Sequence, residues 1–216
     1  MISPKRYWNT KHPKEPIIYG GRSLKTKNDR IDIDVRRMIW HEDVVIKKVV
    51  EKEILKKESF DETAWTCQKY VVKNMKYTDD KKTANMDEFW QFPNESLVTF
   101  QGDCEDGAIL MASLMLNAGI PDWRVRVSAG MVSVGKGAAT GGHAYVTYCR
   151  ESDNNWVVLD WCYYEDSSTS VDKKPIFKDK KRYKEIWFSW NHVYSWSHKT
   201  IDVVEKLEDL IDDGKE

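Results

Sequence analysis

Apolar positions along this chain follow two different rhythms, and the change falls near Pro121. Before it they recur at three- and four-residue spacing, as in helices; after it they recur at every second residue, as in strands. One stretch follows neither. Residues 108 to 118, AILMASLMLNA, are apolar on almost every side, interrupted only by Ser113 and Asn117. A helix that is apolar all round is a buried helix, because a surface helix would keep a polar face. Gly102 and Asp103 mark its start, and Asn117, Gly119 and Pro121 its end.

Taken in order, residues 1–33 are polar and punctuated by Pro4, Pro13, Pro16 and the Gly20–Gly21 pair, which predicts an N-terminal arm. Residues 34–216 are expected to form a single domain. Interleaved charges from about Asp34 to Lys57 predict one amphipathic helix, broken at Ser59 to Glu62. A second helix is expected over 62–76, a loop over 77–88, and a short helix from Asn94 behind Pro93. Past Pro121, Trp123, Val125 and Val127 alternate with Arg124, Arg126 and Ser128, the pattern of a half-buried strand. The segments 143–149 and 156–164, joined by a turn at Ser152–Asn155, predict an antiparallel hairpin. Residues 185–190 read as a further strand and 199–213 as a terminal amphipathic helix. Helices first and strands later argue for an α+β fold, the buried helix packed on an antiparallel sheet.

Composition narrows the function classes. A formal net charge of −1 on 216 residues gives no long-range pull towards nucleic acid or an anionic membrane, so neither is expected as a partner. The seven basic residues within 173–184 then read as a solvated loop. The run GKGAATGG (135–142) lacks the spacing of a phosphate-binding fingerprint. Without an apolar stretch near its start the chain is expected to carry no signal peptide and to be cytoplasmic, or part of a virus particle if its source is viral. The four cysteines, Cys67, Cys104, Cys149 and Cys162, have no zinc-ligand spacing and read as free thiols.

Chemistry concentrates at three residues. Cys104 falls in the first turn of the buried helix, where the macrodipole and unpaired N–H groups favour a thiolate. Asp160 lies inside WVVLDWCYY, flanked by apolar residues, and a carboxylate there needs a partner. Across the hairpin His143 follows the glycine loop and supplies one. Cys104, His143 and Asp160 then make a nucleophile, a general base and an orienting carboxylate.

The string GDCEDGAILMASLMLNAGIP and the order Cys, His, Asp resemble the transglutaminase-like branch of the papain-like thiol enzymes, above all the bacterial transglutaminase-like cysteine proteinases. Trp90, Pro93, Glu95 and Leu97, and Asn74–Tyr77 followed by Asp79–Asp80, match the same group; the resemblance spans roughly residues 62–165. It implies a papain-like core and acyl transfer through a thioester on a protein or peptide substrate, by hydrolysis of peptide or isopeptide bonds or by transamidation. The oxyanion would be held by the Cys104 N–H and a side chain, Gln101 or Trp90. Gly107 departs from the group, which usually carries an aromatic there, and is expected to leave a wider gap beside the thiol. No cofactor is required by this chemistry.

The acidic neighbours of Cys104 have two readings. Asp103 as N-cap, with Glu105 and Asp106 in the first turn, suits the helix dipole without any metal and is the preferred one. Calcium at Asp103 and Glu105 is the alternative that the resemblance implies. A further alternative to an enzyme is a transglutaminase-like domain used as an assembly module, docking a larger complex through the arm or the C-terminal third.

Overall fold

The computed structural model describes residues 14–23, 30–54, 57–134, 139–177 and 181–198. Strand β1 (Ile18–Ser23) pairs antiparallel with β2 (Arg30–Asp34), with Ile18 opposite Asp34. These residues lie against the body of the domain. Glu15 donates its N–H to the Ser195 carbonyl at 3.1 Å, and Tyr19 stacks on Trp90, which stacks in turn on Trp190.

The helix expected over 34–57 is divided in two, and two aspartates divide it. Asp34 accepts the Arg36 N–H and caps a 3-10 turn, Val35–Met38. After it the chain turns through Glu42, at φ 58°, and Asp43 starts afresh by accepting the Val45 and Ile46 N–H groups. The result is helix α1 (Val44–Val49), which runs on as a π-helical turn, Val50–Ile54. Side-chain carboxylates that bond nearby N–H groups favour helix starts over helix interiors, and apolar spacing does not register them.

Helix α2 (Phe60–Asn74) is capped by Ser59, whose Oγ accepts the Glu62 N–H. Two short strands, β3 (Lys76–Tyr77) and β4 (Gln101–Gly102), pair in parallel. Between them the expected loop holds a one-turn helix, α3 (Asp80–Thr83). Helix α4 (Pro93–Thr99) follows, with proline at its first position, where a missing N–H costs nothing. Helix α5 (Cys104–Asn117) is the buried rod, with every residue from Glu105 to Leu116 out of solvent.

Five strands form the main sheet: β5 (Val125–Ser133), β6 (Thr140–Cys149), β7 (Trp156–Leu159), β8 (Tyr183–Trp190) and β9 (Ser195–Ser197). Their order is β7-β6-β5-β8-β9, antiparallel throughout. Helix α5 packs on β5 and β6, with α2 against it. This is the mixed α+β architecture that the sequence predicts. Strand β5 is not half-buried, however: Arg126 and Ser128 are buried along with its valines, as is Arg124 in the 3-10 turn just before it. The Arg126 guanidinium sits between the rings of Trp156 and Trp196, at 4.2 and 4.4 Å, and Ser128 pairs with Thr147 at 2.9 Å. Aromatic faces and a hydroxyl partner thus replace water on the side that alternation marks as exposed.

Lys174, in the basic run, is also buried, its ammonium bonded to the Asp166 carbonyl. The expected helix over 199–213 lies outside the described residues. Among those described, no helix is long and apolar enough to cross a membrane.

Candidate active site

The hairpin delivers a buried His–Asp pair. Strand β7 stops at Leu159 because the Asp160 carboxylate gathers the next N–H groups to itself. Its Oδ1 accepts from Cys162 at 3.2 Å and Tyr163 at 3.4 Å, and its Oδ2 from Tyr164 at 3.3 Å. The same Oδ2 lies 2.8 Å from His143 Nε2 and accepts the Tyr183 hydroxyl at 2.7 Å. Both side chains of the pair are 1% exposed. Gln68 on α2 anchors the backbone, donating to the Asp160 carbonyl at 2.8 Å. Burial alone would raise the Asp160 carboxyl, but His143 and then Tyr183 outweigh it and hold the group below the usual carboxylate range.

Cys104 opens α5 beside this pair, and the N–H of Ala144, the residue after His143, points at its Sγ from 3.4 Å. The gap expected beside Gly107 is filled by Trp161, whose indole N–H donates to the Cys104 carbonyl at 2.9 Å. A Cβ on residue 107 would lie 2.3 Å from that indole, so glycine there is the complement of the tryptophan. The exposed rings at this end of the molecule are Tyr77 and Tyr163, the latter 5.1 Å from the His143 ring between centroids.

The electrostatics run against the thiolate that a helix N-terminus was expected to favour. Burial, and next the charges of Glu105 and Asp103, push the Cys104 thiol well above its ordinary value; only the Ala144 N–H pulls it down. The thiol is 3.3 Å from Glu105 Oε2 and donates to it. Behind it lies a cluster larger than the sequence indicated. One oxygen from each of Asp80, Asp103, Glu105 and Asp106 lies within 4.8 Å of the other three. Asp106 is held by Gln91, whose N–H and Nε2 reach its two oxygens at 2.7 and 2.8 Å, and by the Asp103 N–H at 3.2 Å. Gly102 makes room for it, since a Cβ there would come within 2.4 Å of Asp106 Oδ2. Burial, then mainly the charge of Asp103, pushes Asp80 up to about 7; burial and the Asp103 charge also push Asp106 up to about 8. Glu105 is raised well above its ordinary value, by burial first and then by Asp103. Asp80 Oδ1, Asp103 Oδ1 and Glu105 Oε1 are buried without a hydrogen-bond partner.

Of the two oxyanion candidates, Trp90 is buried in the stack with Tyr19 and Trp190, and its indole N–H is committed to Glu88 Oε1 at 2.6 Å. Gln101 is exposed on β4, three residues before the cysteine. No local pattern marks Tyr183, which sits among basic residues. Asp80 stood in the motif that carried the resemblance, but nothing marked it as part of the acidic cluster.

A family model of the transglutaminase-like domain matches residues 46–188, and the chain belongs to that family. Among solved structures it is similar to LapG of Legionella pneumophila. The EGTA-treated form is 20% identical with a TM-score of 0.49, over 72% of this chain and 85% of that one. The calcium-bound form is 20% identical with a TM-score of 0.47, over 71% and 88%. A protein described as a candidate cysteine protease from Cytophaga hutchinsonii is 17% identical with a TM-score of 0.42, over 64% of this chain and 44% of that one. No curated protein matches the sequence.

Proposed function

We propose that the chain is a cysteine-dependent enzyme of amide bonds, hydrolysing peptide or isopeptide bonds in a protein or peptide substrate through a thioester. The observation that carries this reading is the His143–Asp160 pair, sealed from solvent with its carboxylate bonded at both oxygens, next to a cysteine at a helix start. A buried imidazole held this firmly has a fixed tautomer, with Nε2 committed to the carboxylate and Nδ1 left to exchange a proton. His143 Nδ1 takes the Cys104 thiol proton as Sγ attacks the carbonyl carbon, and the same proton passes to the amine as the amide C–N bond breaks. Water resolves the thioester to a carboxylic acid and the free thiol; an amine in place of water gives transamidation. The Cys104 N–H, which has no acceptor within its own helix, and the exposed Gln101 carboxamide are the oxyanion donors.

The acidic cluster fits a hard divalent cation. Four carboxylates converge, three of their oxygens are orphaned in a buried setting, and burying such charges without compensation costs several kcal/mol. Asp80, Asp103, Glu105 and Asp106 would hold calcium, which suits flexible all-oxygen cages. When bound it would supply positive charge beside the thiol. Asp103 is the N-cap of α5, as capping predicts, and forms a capping box with Asp106, which takes its N–H. Capping nonetheless leaves Asp80 Oδ1, Asp103 Oδ1 and Glu105 Oε1 without a donor.

Iodoacetamide competition with mass mapping tests the nucleophile. Cys104 should be alkylated fastest of the four cysteines in calcium, and His143→Ala should slow it. If Cys67, Cys149 or Cys162 reacts first, Cys104 is not the nucleophile. An intact protein with an unreactive Cys104 in calcium would instead support the assembly-module reading, for which the suppressed thiol is the supporting observation.

A further inference from the structure

Cys162 takes no part in the chemistry above, yet it stands beside the residues that do. One ligand atom from each of His143, Asp160 and Cys162 lies within 4.8 Å of the other two. The set is one imidazole nitrogen, one carboxylate oxygen and one thiol sulfur. Cys162 is a free cysteine and the least buried of the three, so an ion could approach from its side. We propose that His143, Asp160 and Cys162 form a binding site for a thiophilic divalent metal, zinc above all, and that the metal switches the enzyme off by taking the histidine out of the reaction.

The donor set argues for zinc over the hard cation of the acidic cluster. Mixed nitrogen, oxygen and sulfur ligands in a site with one open position are zinc chemistry, whereas calcium and magnesium take oxygen alone. Ligand bonds of about 2.0–2.3 Å would set the three atoms roughly 3.5 Å apart, inside the present 4.8 Å limit and wider than the His143–Asp160 contact. The outer shell already exists. The Tyr183 hydroxyl and three backbone N–H groups fix the Asp160 carboxylate, which is how second-shell partners orient a metal ligand. Binding replaces the thiol S–H bond with a sulfur–metal bond and releases that proton to solvent, while the imidazole stays neutral with its proton on the unligated nitrogen. The carboxylates of Asp160, Asp103 and Glu105 lie around Cys162 and attract a cation to the same place.

The inhibition rests on the proposed enzyme; the binding does not, and the test separates them. Cobalt(II) is added to the full chain, with calcium in excess to fill the acidic cluster, and a sulfur-to-cobalt charge-transfer band is read in the near ultraviolet. Zinc affinity follows from competition. Wild type should show the band, and Cys162→Ser should lose it and weaken zinc by at least about tenfold while keeping its melting temperature. Cys104→Ser should keep both. Absence of the band in wild type overturns the proposal, as does a band that survives in Cys162→Ser and vanishes in Cys104→Ser. With a peptide substrate, zinc should inhibit wild type and Cys162→Ser should need at least about tenfold more. A band without turnover in any variant would condemn the enzyme and leave the metal site standing.

Discussion

Two buried groups of charges flank Cys104, and they are built in opposite ways. Around Asp160 the carboxylate is met by a histidine, a tyrosine hydroxyl and three backbone N–H groups, and it stays ionised although it is buried. Around Glu105 the neighbours of a carboxylate are other carboxylates, three oxygens meet no N–H or hydroxyl donor, and burial drives the groups towards their neutral form, with Asp103 and Glu105 bonded to each other. Burial is common to both. What differs is whether the chain supplies the compensating charge itself. Where it does, the group is a fixed part of the machinery; where it does not, the group waits for something from solution.

The largest effect should come from breaking the closed group. Asp160→Asn keeps the shape but turns an NH2 towards donors whichever way the amide faces, since both oxygens accept hydrogen bonds. Turnover should fall by about 10⁴, and stability by about 1–3 kcal/mol for the buried donors left unmatched. Steady-state rates and thermal melts of one preparation read both. Unchanged rates would remove Asp160 from the site.

The open group should respond to ions and pH instead. Calcium should raise the melting temperature, by an amount equivalent to about 2.7 kcal/mol at a hundredfold excess over its dissociation constant, and magnesium should not. Without calcium the sign of the pH dependence is set by folded-state values of about 7 for Asp80 and about 8 for Asp106, both above the unfolded value. The folded state holds more protons than the unfolded one across that interval, so stability falls as pH rises. The stabilising contribution is complete below about pH 4 and is lost as pH climbs through 7 and 8. Melts in EGTA should therefore drop towards pH 8, and calcium should flatten the curve. A flat profile in EGTA would mean that the four carboxylates do not share a buried pocket.

The smallest effect tests how redundant the closed group is. Tyr183→Phe removes one of its hydrogen bonds and leaves the histidine and three N–H groups in place. A loss of about 1 kcal/mol is expected, with Cys104 alkylation still faster than that of the other cysteines. Loss of Cys104 reactivity would make Tyr183 a positioning residue for the pair.

The stretch of the fold that was legible in advance is the stretch governed by local burial. The rod over residues 108 to 117 and the hairpin strands follow from residues whose apolar character matches their surroundings, although the second strand, expected over 156–164, ends at Leu159 where Asp160 takes up the next N–H groups. Local pattern is silent where a polar residue is buried by something distant. Arg126 reads as exposed until Trp156 and Trp196 close over it, and the helix expected over 34–57 reads as continuous until the aspartate caps are seen. Gly107 reads as a gap because nothing at residue 107 announces the tryptophan 54 positions on.

The sequence by itself determined that a cysteine would start a buried helix, because a run apolar on every side packs out of water, and that a carboxylate among apolar neighbours would need a partner, because an unpaired buried charge is costly. Only the tertiary structure decided what those partners are. Tyr183 comes to Asp160 from β8, and Asp80 comes to Glu105 from a turn before α4. Hydrogen bonding and Coulomb interaction depend on distance in space: the sheet order β7-β6-β5-β8-β9 brings Tyr183 to Asp160, and the packing of α3 against β4, just ahead of α5, brings Asp80 to Glu105, neither with a trace in the local run of residues.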